Sequence, residues 1–182
     1  MHPQLQSIAD ELREATARLH RLSGAIRPDR WLVRNDPARW SIAECVEHLN
    51  LTSAAYVPIL EAGLSEARKL RSPAPHRLRR GFMGWLLWKL TGPGFRGRMQ
   101  TVPAFVPPGT TRGSAAAAEF ERWQSTLLAL LTAADGLPVG QVQLRSPFNA
   151  KVRYSWFGGF AILAHHQHRH LQQAERVWAP AG

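Results

Sequence analysis

Apolar residues return every three or four positions along four separate stretches of this chain, the spacing of amphipathic helices that must bury one face. In the first stretch, Leu5, Ile8, Leu12, Ala15, Leu19 and Leu22 share a helical face. Ser23-Gly24 and then Pro28 mark its end. The second begins with Ser41-Ile42-Ala43-Glu44, a capping box in which Ser41 and Glu44 satisfy each other's exposed amides. That spacing predicts a helix from Ser41 to about Lys69, striped by Ile42, Leu49 and Leu60 and kinked at Pro58. Ser114 stands as the cap of the third, which carries Phe120, Trp123, Leu127, Leu130 and Leu131 inward and stops at Asp135-Gly136-Leu137-Pro138. A short extended piece, Lys151-Val152-Arg153-Tyr154, leads to Ser155, the expected N-cap of the fourth.

Between the second and third stretches, residues 71–113 break the pattern. Six of the chain's 13 prolines fall there, with Gly92, Gly94, Gly97 and Gly109. Within it, GFMGWLLWKL has the composition of a short helix bearing Trp85, Leu86 and Trp88. The expected architecture is therefore all-α, one domain over residues 1–182: a four-helix bundle with a long, partly helical connection between helices 2 and 3. Connections of that length inside a compact domain usually serve function.

The chain has 182 residues, enough to bury a sizeable core, and its 45% apolar content is ordinary for a globular protein. Its single cysteine, Cys45, excludes an internal disulfide framework and fits a reducing compartment. No leader-like segment opens the sequence and no run of about 18 apolar residues interrupts it, so the expected location is cytoplasmic. The formal net charge is +10, and seven arginines fall between Arg68 and Arg98. Such a patch attracts anions without naming one. Basic patches are often only solvated faces, so neither nucleic acid nor membrane is the expected partner, although RLRRGFMGWLLWKL has the makings of an interfacial helix.

The feature that points to chemistry is AHHQHRHLQQAERV, Ala164–Val177, with four histidines in six positions. At 100° per residue, Gly159, Ile162, Leu163, His166, His170, Gln173 and Val177 fall on one inward arc, while His165 and His168 point away. His166 and His170, four apart, stand roughly 6 Å from each other on one face. A pair of hydrogen-bonded core histidines would satisfy the same pattern. His48, beside the apolar stripe of the second helix, offers a third imidazole from a facing helix, and three neutral nitrogens leave an open coordination position. Gln173, one turn beyond His170, is placed to orient a ligand, and Glu44, four before His48, to reach that ring's second nitrogen. Trp85, Trp88, Arg96 and Arg98 are candidate pocket residues beneath and along the connection. Cys45 reads as a core thiol, because no sequence neighbour would lower its pKa. His2, His20 and His76 take no role.

Trp40-Ser41 followed by His48-Leu49, the C-terminal His166, His170 and Gln173, and the segment Arg98-Met99-Gln100-Thr101-Val102-Pro103-Ala104-Phe105 together resemble the DinB-like superfamily. The resemblance spans essentially the whole chain in the right order. It implies a four-helix bundle holding one divalent metal through His48, His166 and His170. It also implies an enzyme that uses the ion to activate a thiol or water, with thiol-dependent S-transfer ahead of metal-dependent hydrolysis. A non-catalytic metal- or ligand-binding scaffold in a stress response is the alternative. Zinc, nickel or iron suits imidazole ligands, a low-molecular-weight thiol is the implied co-substrate, and a small molecule is the expected substrate. Bundles of this kind also pair, so a homodimer is an expectation.

Overall fold

The computed structural model describes residues 1–95, 97, 100–110 and 112–178. Four long helices, α1 (Pro3–Ala25), α2 (Ile42–Lys69), α4 (Gly113–Ala133) and α5 (Trp156–Trp178), form the bundle. A shorter helix, α3 (Gly81–Thr91), lies in the connection between α2 and α4. Two three-residue strands, β1 (Gln143–Arg145) and β2 (Arg153–Ser155), pair antiparallel before α5. The fold is all-α with this one small ribbon, as the apolar spacing requires.

The capping box forms as expected: Ser41 Oγ accepts from the Glu44 amide, and Glu44 accepts from the Ser41 amide at 2.8 Å. α2 then runs unbroken through Pro58 to Lys69. Ser155 caps α5, its Oγ accepting from the Gly158 amide at 3.0 Å. Ser114 does not cap α4. The helix starts one residue earlier, with Arg112 at the cap position and no side-chain cap bond. Gly113 lies so close under the Trp31 ring that a Cβ there would stand 2.1 Å from it, and this contact seats the first turn. The extended piece before α5 is shifted to Arg153–Ser155, and its partner β1 had no counterpart in the apolar pattern.

α1 and α2 each pack on both α4 and α5, so the four helices close around a shared interior. That interior holds two apolar clusters. One gathers Leu12, Leu60, Leu127, Leu131, Trp156 and Phe160; the other Leu19, Val46, Leu49, Phe120, Leu171 and Ala174. On α2, α4 and α5, the residues between the two clusters are polar and buried, including Asn50, Ser53, Gln124 and Gln167. Their amide donors are paired: Gln167 Nε2 donates to Gln124 Oε1 at 2.9 Å, Gln124 Nε2 to the Leu12 carbonyl at 2.7 Å and Asn50 Nδ2 to the Ala116 carbonyl at 2.9 Å, whereas Asn50 Oδ1, Gln167 Oε1 and Ser53 Oγ are buried without a partner among the described residues. The histidines of α2 and α5 belong to the same polar waist.

α3 packs across α5 and β2. Its buried Gly84 lies against Tyr154 and Gly158. The Arg80 guanidinium, just ahead of the helix, stacks 4.6 Å over Trp88 and 5.7 Å over Phe157. Among the described residues, no helix is long and apolar enough to cross a membrane.

Candidate metal centre

α2 contributes His48 and α5 contributes His166 and His170, and one nitrogen from each ring lies within 4.8 Å of the others. His48 Nε2 is 3.3 Å from His166 Nε2. The ring centroids are 5.1 Å apart for His48–His166 and 4.5 Å for both His48–His170 and His166–His170, all edge to face. The two histidines that the arc on α5 turns inward are thus the two that meet His48. His165 instead stacks on Trp88 at 4.3 Å, and His168 Nδ1 sits 3.1 Å from the Arg18 guanidinium.

The donor set fits a cation. The backbone carbonyl of Phe105 accepts from His48 Nδ1 at 2.8 Å, which fixes the tautomer and leaves the Nε2 lone pair facing His166. On His170, Nδ1 is buried with no hydrogen-bond partner, while the Gln173 side chain bonds the ring. A buried ring nitrogen left without a partner loses solvation and gains nothing in return, unless an ion takes the lone pair. Burial lowers the pKa of all three rings. For His48 the Phe105 carbonyl opposes it; for His166 and His170 the neighbouring rings and Arg169 add to it, and both fall well below the ordinary histidine value. The trio is thus neutral at neutral pH, the form in which imidazole ligates.

Trp40 covers the cluster from the loop before α2, its ring 4.8 Å from His48 and 5.7 Å from His170. The trio opens into a cleft of about 1710 Å³, lined by α5, by the 91–106 segment and by the loop between the strands. Its walls include Trp40, Phe95, Phe148, Ile162 and Leu163, and its cations include Arg39, Arg169 and Arg176. Asp36 is the one acid among these lining residues, and Arg39 pairs with it at 3.2 Å. Arg169 donates to the carbonyls of Leu90, Phe95 and Gly97 at 3.1–3.3 Å, holding Phe95 and Gly97 at the opening. At the far end of the cleft, Tyr56 accepts from Tyr154 at 2.9 Å.

Several sequence-level candidates fall elsewhere. Glu44 does not reach His48: its carboxylate is held by the Arg34 guanidinium and the Ser41 amide, and the Phe105 carbonyl takes the position foreseen for it. Burial works to raise the Glu44 pKa, but those hydrogen bonds outweigh it and hold the group ionised. Trp85 and Trp88 are not among the cleft's lining residues, whereas Leu87 and Thr91 are: Trp85 faces outward, and Trp88, on the inward face, is taken up by His165 and Arg80. Arg96 and Arg98 lie outside the described residues. Cys45 is a buried free thiol whose pKa is raised by burial and by Glu44, as a core thiol should be. Sequence reasoning missed Arg169 and Arg176, although the same 100° projection places both beside Gln173 on α5. It missed Phe105 and Phe148 because loops have no period to read.

A family model described as DinB superfamily matches residues 11–174. Comparisons with curated proteins and with solved structures returned no match.

Proposed function

Since the chain belongs to the DinB superfamily, we propose that it is a metal-dependent S-transferase, in which His48, His166 and His170 hold one divalent transition ion. The observation that carries this reading is the trio itself: three neutral rings from facing helices, their nitrogens within 4.8 Å of one another at the wall of an apolar cleft. Zinc, nickel or iron suits the donors. Bound there without a charged ligand, the ion keeps its full positive charge and supplies Lewis acidity that lowers the pKa of a thiol or water beside it.

The chain's own residues favour the thiol. A thiol has an ordinary pKa near 8.5 and needs little help to ionise, whereas water normally also needs a positioned base. The only acid among the cleft's described lining residues, Asp36, is paired to Arg39 and bonded to the Ala38 amide. Trp40 and Phe148 present apolar surface to the cleft. Arg176 carries the charge to receive a carboxylate of a low-molecular-weight thiol. The cleft exceeds the ~300–1,000 Å³ usual for one small ligand, which leaves room for a thiol and its small-molecule electrophile together. In the transfer, the thiolate sulfur forms the new S–C bond and the leaving group departs with its electron pair.

The test is to load the purified protein with each metal and titrate it with low-molecular-weight thiols, with His166→Ala as control. Saturable thiol binding that needs the metal and fails in His166→Ala supports transfer. Metal binding with a closed, thiol-indifferent site and a large fall in melting temperature on His166→Ala supports a structural scaffold instead. Turnover of ester or amide substrates without thiol supports hydrolysis.

A further inference from the structure

From Ala67 to Ala118 the sequence contains no aspartate or glutamate, but eight arginines and two lysines. Those ten cations equal the whole formal net charge, since the other 13 basic residues match the 13 acids of the remaining chain. α3 sits within this segment and presents two different faces. Gly84, Leu87, Trp88 and Thr91 turn inward to the bundle and the cleft, while Phe82, Trp85, Leu86 and Lys89 share the opposite face. Phe82 is 73% exposed and Trp85 42%, with the Lys89 ammonium 5.0 Å over the Trp85 ring.

Cations surround that apolar ridge. Arg77 and Arg79 are exposed just before the helix. β2 packs beside α3, and there Arg153 stands directly across from Arg145 of β1, both exposed. Like charges opposite each other in a ladder repel, and among the described residues neither has an acidic partner. An arrangement that costs stability in the free protein becomes favourable against an anionic surface.

We propose that the outer face of α3, with Arg77, Arg79, Arg145 and Arg153 around it, docks the protein on an anionic lipid bilayer. The face exposes Phe82 and Trp85 with cations nearby, which suits insertion of the two rings at the headgroup boundary while the arginines meet lipid phosphates. A nucleic acid is normally received in a basic groove rather than on a protruding apolar ridge. A second copy of this chain brings the same cations to the same face and is repelled.

Co-sedimentation of the full-length protein with vesicles of phosphatidylcholine, with and without phosphatidylglycerol, tests this at low salt. The protein pellets with the anionic vesicles and stays free of the neutral ones. The exposed pair Phe82→Ser/Trp85→Ser, with an unchanged circular dichroism spectrum, lowers anionic partitioning by about tenfold or more. Arg145→Gln/Arg153→Gln lowers it and flattens its salt dependence. No binding to anionic vesicles overturns the proposal, as does binding that ignores the aromatic pair. Retention of duplex DNA in place of vesicles assigns the face to nucleic acid, and a wild-type dimer dissolved by the aromatic pair assigns it to self-association; each equally overturns it.

Discussion

The Nε2 atoms of His48 on α2 and His166 on α5 lie 3.3 Å apart, and the Phe105 carbonyl already takes the Nδ1 proton of His48. Two imidazole lone pairs at that distance repel unless a proton or a cation lies between them. Burial disfavours a second proton, and so the charged form, on both rings, and a neutral His166 with its proton on Nε2 can donate across this gap. In the other tautomer both lone pairs face one point, as ligation of a single cation requires, so metal content is the direct test.

His48→Ala, His166→Ala and His170→Ala are each expected to lose the bound divalent ion, whereas His165→Ala and His168→Ala retain it. Removing one of three ligands leaves two nitrogens, too few to hold an ion against solvent and buffer. Elemental analysis of the purified variants measures this directly. Equal metal loss from His165→Ala would sink the helical register argued for α5.

Acid should unfold the metal-free protein through these rings. Their folded pKa values lie below the ordinary histidine value of 6.5, so the unfolded chain takes up protons first as pH falls. The stability they contribute is complete above about pH 6.5 and is lost progressively as pH drops toward the depressed folded values. Melting temperature against pH, in the presence of a chelator, should decline in that window, and His170→Ala should decline less steeply. A flat profile between pH 6.5 and 5 would show that burial does not depress these groups.

The helices and the site were legible in the sequence to different depths. Apolar spacing placed α1, α2, α4 and α5, and the capping box placed the start of α2, because each is a local pattern with its own period or hydrogen bond. The α5 arc separated His166 and His170 from His165 and His168 for the same reason. What failed was set by tertiary contact. Glu44 is one turn from His48 in sequence, yet Arg34, ten residues away, captures its carboxylate. The inward face of α3 is chosen by Gly84, whose missing side chain lets the helix approach Tyr154 and Gly158, and so Trp85 turns outward. The long connection was legible as a feature but not as a shape: nothing local says that Phe105 returns to His48 or that Arg169 ties down Phe95 and Gly97.

Gly63→Ala is expected to destabilise the fold by about 1–2 kcal/mol. Alanine gains up to about 1 kcal/mol over glycine inside a helix, but overpacking a tight core costs about 1–3. The added Cβ would stand 2.6 Å from Leu144 Cδ2 and 2.7 Å from Trp156 Cδ1. The indole cannot simply turn away, because it is fully buried and donates its Nε1–H to the Leu60 carbonyl at 2.8 Å. Chemical denaturation of the variant measures the difference, and a stabilised protein would show that the Trp156 seat is softer than its hydrogen bond implies.

Arg169→Ala should loosen the segment over the cleft more than it loosens the bundle. The guanidinium donates to three carbonyls, those of Leu90, Phe95 and Gly97, and sits 5.5 Å over the Phe95 ring. A lysine cannot reproduce a planar fork that reaches several acceptors at once, so Arg169→Lys should behave nearly as alanine does. Loss of these bonds leaves the bundle helices packed but removes a tie between α5 and Phe95 and Gly97. Amide hydrogen exchange at Gly94, Phe95 and Gly97 should quicken by about tenfold or more, corresponding to roughly 1.4 kcal/mol of lost local protection. Amides at the centres of α2 and α4 should exchange as before. The same substitution removes a positive charge that helps to depress the pKa of His166 and His170, so the acid-dependent decline in melting temperature of the metal-free protein should become shallower. Unchanged exchange in 92–97 would show that the segment is held by its own packing, and the tie assigned to Arg169 would have to be given up.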